Sequence, residues 1–256
     1  MKKELLIIGF GWLGQNYALA NKLHFERIIG IKRSAALRYQ LDAKTNVCAL
    51  DLFSDNLPNS ISEILKSASH IIIALPPSSA KIPENYLILL EKLKTTIVSI
   101  GIKTIFISSI GAGSLFQSER KILLEQSEIV FLENSLFKVL RFGGLIGTDR
   151  HPVLSLARSN SAINGADLVN LISIEDCCGT IDFLFNHFER LPSLLTAVAP
   201  YHPSKFEYYK KSSRAFRVPS PHFYFDTEEL TAYELVNKVE DFGYKWINDK
   251  LERPNN

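Results

Sequence analysis

The stretch LLIIGFGWLGQNYALANKLHFERIIGIKRS, Leu5 to Ser34, decides the fold. An apolar run, Leu5 to Ile8, leads into glycines at positions 9, 11 and 14. A helical pattern follows from about Leu13 to Leu23. A second apolar run, Ile28 to Ile31, ends in Lys32-Arg33-Ser34. This is a strand, a glycine turn, a helix and a second strand in succession. The three glycines differ in what they allow. Gly9 turns the chain off the strand, Gly11 leaves room for a pyrophosphate, and Gly14 lets the helix pack close to the sheet. The helix start offers free N–H groups and the positive end of its dipole to the phosphates. Phe10, Trp12 and Leu13 complete the loop, so Gly9 to Gly14 is read as the cradle of a dinucleotide.

Binders of the unphosphorylated cofactor place an acid at the end of the second strand to hold the ribose 2′-hydroxyl. Lys32, Arg33 and Ser34 stand there instead. Two cations and a hydroxyl suit a 2′-phosphate. NADP(H) is therefore favoured over NAD(H), with a solvated basic loop as the alternative.

The 256 residues are 46% apolar and 22% charged, with a net charge of +2. These values fit an ordinary globular protein and give no reason to expect a nucleic-acid or membrane surface. The apolar start is too short for a signal peptide and breaks into the glycine loop, and no run reaches membrane-spanning length. Cys48, Cys177 and Cys178 are too few and too oddly placed for a disulfide framework, which points to a reducing, cytoplasmic setting. The adjacent pair reads as core. The histidines form no ligand-spaced cluster, so no metal is expected.

Helical and strand patterns alternate onward. Ala35 to Ala43 reads as helix and Val47 to Leu50 as a third strand. Ser60 with Glu63 forms a capping box opening a helix through Ser67. His70 to Leu75 is a strand stopped by Pro76-Pro77. Pro83 to Leu93 reads as helix, Thr104 to Ile107 as strand, Ser118 to Glu125 as helix and Leu136 to Phe142 as strand. The alternation predicts an α/β fold, a Rossmann-like doubly wound parallel sheet, over residues 1–147. Residues 148–256 read as a mixed region. Its helix at about 175–188 and strand at about 194–199 return to the first part, and the rest forms a small substrate-binding lobe. Ser204 with Glu207 caps a helix to about Phe216, and Thr231 with Glu234 is read as capping a last helix to Gly243.

The chain resembles an atypical form of the NAD(P)-dependent epimerase/dehydratase group, the extended branch of the short-chain dehydrogenase/reductases. The resemblance rests on Gly9 to Gly14, Asp51-Leu52, Ala74-Leu75-Pro76-Pro77, Phe106-Ile107-Ser108-Ser109, Leu140 to Gly147 and Asn170 to Asp176. His202-Pro203-Ser204 and Phe242-Gly243-Tyr244 extend it toward the end.

The resemblance implies that Asp51 and Leu52 contact adenine, that Ala74 to Pro77 line the adenosine ribose, and that Phe142 to Leu145 lie beside the nicotinamide, with Phe142 and Gly143 among the cofactor contacts. Asp51 also reads as a turn cap. In the family a Ser, a Tyr and a Lys act together. Ser109 matches the Ser and Lys121 the Lys, while Gln117 falls where the Tyr belongs. Glutamine cannot give up and recover a proton as a phenol does. Tyr86 and Tyr201 are alternative acids by position. Ser109 also reads as a strand-end cap, and Lys121 as a solvated lysine. Arg150 and His151 read either as part of a surface loop or as holding an anionic substrate group.

Two functions follow as expectations. One is an NADP-dependent reductase or epimerase acting on a carbonyl or nucleotide-sugar-like substrate. The other is a non-catalytic dinucleotide-binding redox sensor. The expected partners are a dinucleotide and a small molecule, without nucleic acid or membrane, and a homodimer is compatible with them.

Overall fold

Alternate residues of the first strand, β1 (Glu4–Ile8), point to opposite faces, and both faces are apolar. Leu5 and Ile7 enter one core cluster with Tyr17 and Cys177, while Leu6 and Ile8 enter a second with Leu90 and Phe131. A strand buried on both sides belongs in the middle of a helix-covered sheet. The computed structural model places it there. It describes residues 3–22, 24–34, 36–53, 59–228 and 230–251.

The elements flanking β1 are α1 (Trp12–Ala20), β2 (Arg27–Lys32), β3 (Thr45–Ala49), α2 (Asn59–Ser67) and β4 (His70–Ile73). Then come α3 (Pro83–Ile100), β5 (Thr104–Ser109), α4 (Glu119–Leu132), β6 (Phe137–Phe142) and β7 (Gly144–Ile146). The remainder is α5 (Pro152–Leu156), β8 (Ile163–Asn164), β9 (Leu171–Ser173), α6 (Ile174–Asn186), β10 (Leu194–Ala197), α7 (Lys205–Phe216) and β11 (Phe223–Tyr224). The main sheet runs β10-β6-β5-β4-β1-β2-β3, and every pairing in it is parallel. It is a Rossmann-like doubly wound sheet. The chain reverses its direction of winding between β1 and β4, where open α/β sheets hold ligands. Late in the chain, β10 joins this sheet beside β6. Both cysteines of the adjacent pair are buried on α6, as expected of core.

A third apolar cluster belongs to the C-terminal part: Val153 of α5, Val169, Leu171 of β9, and Tyr208 and Tyr209 of α7 pack together there. The N-cap expected at Ser204 of α7 is present, with the Glu207 side chain bonded to the Ser204 hydroxyl rather than to its backbone N–H. Ser204 Oγ accepts the Glu207 N–H at 3.2 Å and donates to Glu207 Oε2 at 3.0 Å. The Ser60 side chain and Ala35 lie outside the described residues.

Three expectations are corrected. Residues 36–43 are not helical. The Arg38 N–H donates to Gln15 Oε1 at 2.8 Å and the Tyr39 hydroxyl to Asp149 at 2.8 Å. Tertiary partners on α1 and on the loop after β7 thus satisfy this segment in place of an i→i+4 ladder. Thr231 also opens no α-helix; only a short 3₁₀ turn, Val239–Phe242, precedes Gly243. The Thr231 N–H and hydroxyl both donate to buried Asp167, at 2.7 and 3.0 Å. The chain then runs extended, with Leu115 N–H donating to Ala232 O (3.1 Å) and Glu234 N–H to Gly113 O (2.6 Å). A capping-box pattern is a local preference, and here a buried carboxylate outcompetes it. Helix α3 also runs past the predicted Leu93, ending at Gly101 in the left-handed conformation (φ 73°), as helix ends commonly do.

Candidate functional site

The parallel register sets the site. Ile8 lies opposite Ile31 and Ile73, so Gly9 emerges between Lys32 and Ala74 at the carboxyl edge of the sheet. Gly9 has φ 87°, and a Cβ there would lie 2.4 Å from Ala74 O. A Cβ on Gly14 would meet Ile7 Cγ2 at 2.9 Å, which explains the close approach of helix to sheet. At Gly11 the nearest atom to a Cβ is Gly9 O, at 3.9 Å, so this position faces open space. Gly11 is the N-cap of α1, and no side chain caps the first-turn amides. Trp12, Leu13 and Gly14 form that turn. Phe10 is buried with its ring over Gly30, where a Cβ would clash at 2.3 Å.

A cleft of about 420 Å³ opens over this loop. Gly9, Phe10 and Gly11 form one wall, and Lys32, Arg33 and Ser34 a second. Leu52, Phe53, Ala74, Leu75 and Pro76 complete it. Arg33 and Ser34 are exposed, and the Lys32 ammonium donates to Ala36 O. Asp51 lies next to the lining rather than in it. Its Oδ1 accepts the Phe53 N–H at 3.0 Å, closing a turn that sets Leu52 and Phe53. Pro77 begins a 3₁₀ turn beyond the cleft wall.

Further along the edge, β5 pairs with β6 so that Ser109 lies beside Phe142. Phe142 is buried, and a Cβ on Gly143 would meet Asn170 O at 2.7 Å, so the strand can leave the sheet there only as glycine. A second chamber of about 520 Å³ opens at this point, and both Ser109 and Lys121 line it. Ser109 Oγ accepts the Gly111 N–H at 3.2 Å. Lys121 enters from the first turn of α4, which Ser118 caps by accepting the Lys121 N–H at 3.1 Å. The Lys121 side chain is only 12% exposed and pairs with Glu125 at 3.2 Å.

Helix α4 is fixed by a buried ion pair. Arg141 of β6 grips Glu128 with Nε to Oε1 at 2.9 Å and Nη2 to Oε2 at 2.6 Å, and Ser108 Oγ donates to Oε1 at 2.5 Å. Ser108 thus reaches under the sheet to α4 while Ser109, one residue on, meets the chamber.

The chamber also contains Arg120, Lys205, Tyr209 and Tyr233, which the sequence did not single out, and Asn170 and Thr231, to which it gave no part in a site. No local pattern marks Tyr233, because its segment read as helix. Gln117 is exposed and outside the lining. Tyr86 is fully buried and donates to Leu75 O at 2.7 Å, so its hydroxyl serves the core. Tyr201 lines a different cavity of about 530 Å³, between α7 and residues Asn248, Lys250 and Leu251.

His151 lines that other cavity too. Its Nδ1 accepts the Val153 N–H at 3.2 Å, making it the N-cap of α5, and its Nε2 lies 3.0 Å from the Tyr208 hydroxyl. Burial lowers its pKa to about 4. Arg150 stacks over the Trp12 ring at 5.1 Å. Asp149 accepts from Trp12 Nε1 (2.8 Å), Arg38 (3.1 Å) and Tyr39, tying the loop after β7 to the glycine loop. Burial works against ionisation of Asp149, but these three donors outweigh it and hold the carboxyl below its ordinary pKa. The described residues contain no cluster of ligands able to hold a metal ion and no helix long and apolar enough to cross a membrane.

Fold and glycine cradle together have the architecture of Rossmann-type dinucleotide-binding proteins. Solved structures that superpose on the chain include a nucleotide-sugar dehydratase and an epimerase. The dTDP-glucose 4,6-dehydratase of Bacillus anthracis, solved with NAD, superposes with a TM-score of 0.75 over 97% of this chain and 93% of its own, at 13% identity. The UDP-N-acetylglucosamine 4-epimerase of Methanobrevibacter ruminantium, solved with UDP-N-acetylmuramic acid, gives 0.71 over 98% and 95%, at 15% identity. MoeE5, solved with UDP-glucuronic acid and NAD, gives 0.69 over 92% and 88%, at 16% identity. At such identities the likeness is one of fold. Among curated sequences, Protein YeeZ of Escherichia coli K12 is 26% identical over 242 residues, 86% of each chain. No protein-family model matches the sequence.

Proposed function

We propose that this chain is an NADP(H)-dependent enzyme of the extended short-chain dehydrogenase/reductase type, acting as a reductase or epimerase on a nucleotide-sugar-like carbonyl or alcohol. The observation that carries the reading is the convergence of Ser109 and Lys121, from β5 and α4, on one chamber at the carboxyl edge of the sheet.

The dinucleotide fits the residues present. Gly11 faces open space, and the first-turn amides of α1 have no side-chain cap, so they are donors for a pyrophosphate. Lys32, Arg33 and Ser34 would hold the 2′-phosphate, Leu52 and Leu75 would pack on the adenine, and Phe142 and Gly143 would border the nicotinamide. When bound, the cofactor supplies or accepts a hydride. Ser109 orients the substrate oxygen by hydrogen bonding, and Lys121 holds the ribose hydroxyls while adding positive charge to the chamber. Arg120 and Lys205 add further cationic character, which suits an anionic substrate.

The test is calorimetric titration with NADP(H) and NAD(H), followed by turnover on a panel of UDP- and dTDP-sugars. Tighter NADP(H) binding and turnover that falls in Ser109→Ala are expected. Lys121→Ala should weaken dinucleotide binding. Failure to bind either dinucleotide overturns the reading, and binding without turnover on any substrate assigns the chain to the non-catalytic sensors.

A further inference from the structure

Gln117 cannot exchange a proton, and it stands outside the chamber that Ser109 and Lys121 share. Two phenols do line that chamber, Tyr209 and Tyr233. Both come from the C-terminal part of the chain, and their hydroxyls make no hydrogen bond with another described residue. Tyr209 is buried on α7, with its ring edge toward His151 and Tyr208. Tyr233 is half-buried on the extended strap. That strap, the extended segment from Thr231, is tied at its start and at its centre. At its start Thr231 is held by Asp167, which Lys205 neutralises at 2.7 Å. At its centre Tyr233 bridges Ser114 antiparallel, flanked by the Leu115–Ala232 and Glu234–Gly113 backbone bonds. Gly113 and Ser114 belong to the turn that directly follows Ser109. The strap is therefore built onto the loop that leaves the Ser109 strand, and these bonds fix the main chain at Tyr233 beside the chamber that Ser109 lines.

We propose that Tyr233 is the proton donor of the active site, supplied from the C-terminal strap in place of the tyrosine absent at position 117. This rests on the enzyme reading above. In the reductive direction the Tyr233 O–H bond breaks and its proton forms the new O–H bond on a substrate carbonyl oxygen. The new C–H bond takes its electron pair from the hydride of a reduced nicotinamide dinucleotide, which is thereby oxidised. Water returns a proton to the phenolate. Asp167 ahead of β9 and Arg120 on α4 act on this phenol, and the chamber it lines also holds Lys205 of α7, paired with Asp167, and Lys121 of α4, paired with Glu125. Burial and then Asp167 raise its pKa, and Arg120 opposes them. A proton donor that must release and recover its proton needs such a cation. Tyr209 has burial alone, which pushes its pKa up to about 12. Asp167 acts through the strap and is a positioning residue.

The experiment compares wild type, Tyr233→Phe, Tyr209→Phe and Gln117→Ala for NADP(H) affinity and for turnover of whichever UDP- or dTDP-sugar reacts. Tyr233→Phe should bind NADP(H) as wild type does and lose about 10²- to 10⁴-fold in turnover, while the other two lose less than about tenfold. Turnover that survives Tyr233→Phe, or falls equally in Tyr209→Phe or Gln117→Ala, overturns the assignment alone. No turnover by wild type on any sugar overturns the enzyme reading and the assignment with it. A second readout needs no substrate: the phenolate absorbance that disappears in Tyr233→Phe should titrate at higher pH in Arg120→Ala. An unmoved titration overturns the placement of Tyr233 beside that cation.

Discussion

Replacing Glu128 by alanine tests how α4, and Lys121 with it, is held against the sheet. The carboxylate is 2% exposed and receives two guanidinium bonds from Arg141, itself 9% exposed, and one from Ser108. The substitution leaves a buried guanidinium without its counter-charge and a buried hydroxyl without its acceptor. Breaking one partner of such a pair costs about 3–5 kcal/mol. For a chain of this size each kcal/mol lowers Tm by roughly 2–4 °C, so the midpoint should drop by about 6–20 °C. Thermal unfolding followed by circular dichroism measures it. Because the loss comes from the uncompensated charge, the double variant Glu128→Leu with Arg141→Met should recover most of it. A drop below about 2 °C for Glu128→Ala, or a double variant less stable than the single one, would refute the reasoning.

Gly11→Val should abolish dinucleotide binding with little change in Tm, because its side chain would enter the open cleft, where the nearest atom to a Cβ outside the flanking residues is Gly9 O at 3.9 Å; unchanged affinity by calorimetry removes the loop from the site. Arg33→Ala should weaken NADP(H) by about 10- to 100-fold, the equivalent of one charge-assisted bond, and leave NAD(H) nearly untouched; equal losses for both count against the 2′-phosphate contact. His151 has its pKa depressed to about 4, so the folded state resists its protonation, and its contribution to stability, complete above about pH 6.5, is lost as pH falls toward 4. His151→Asn keeps an N-cap acceptor and should flatten the dependence of Tm on pH over that window, whereas an identical slope in both proteins would show that another group titrates.

Much of the fold was legible in residues 5–34. A strand apolar on both faces, three spaced glycines and a second apolar run impose the same backbone in almost any context, because a positive φ, a close helix–sheet approach and alternating burial are local demands. The strands from His70 to Phe142 were legible for the same reason. The family resemblance alone paired Ser109 with Lys121, and both line one chamber. Local pattern failed where a distant group supplied a better partner. The 36–43 segment gives up its helix to Gln15 and Asp149, and the segment after Thr231 gives up its own to Asp167 and the Gly113–Leu115 turn. Those partners lie far away in the chain, and each satisfies a backbone or hydroxyl group that a helix would otherwise have claimed. Tertiary structure alone therefore decided that the strap is extended, and with it that Tyr233, read from sequence as a helical residue, lines the chamber of Ser109 and Lys121.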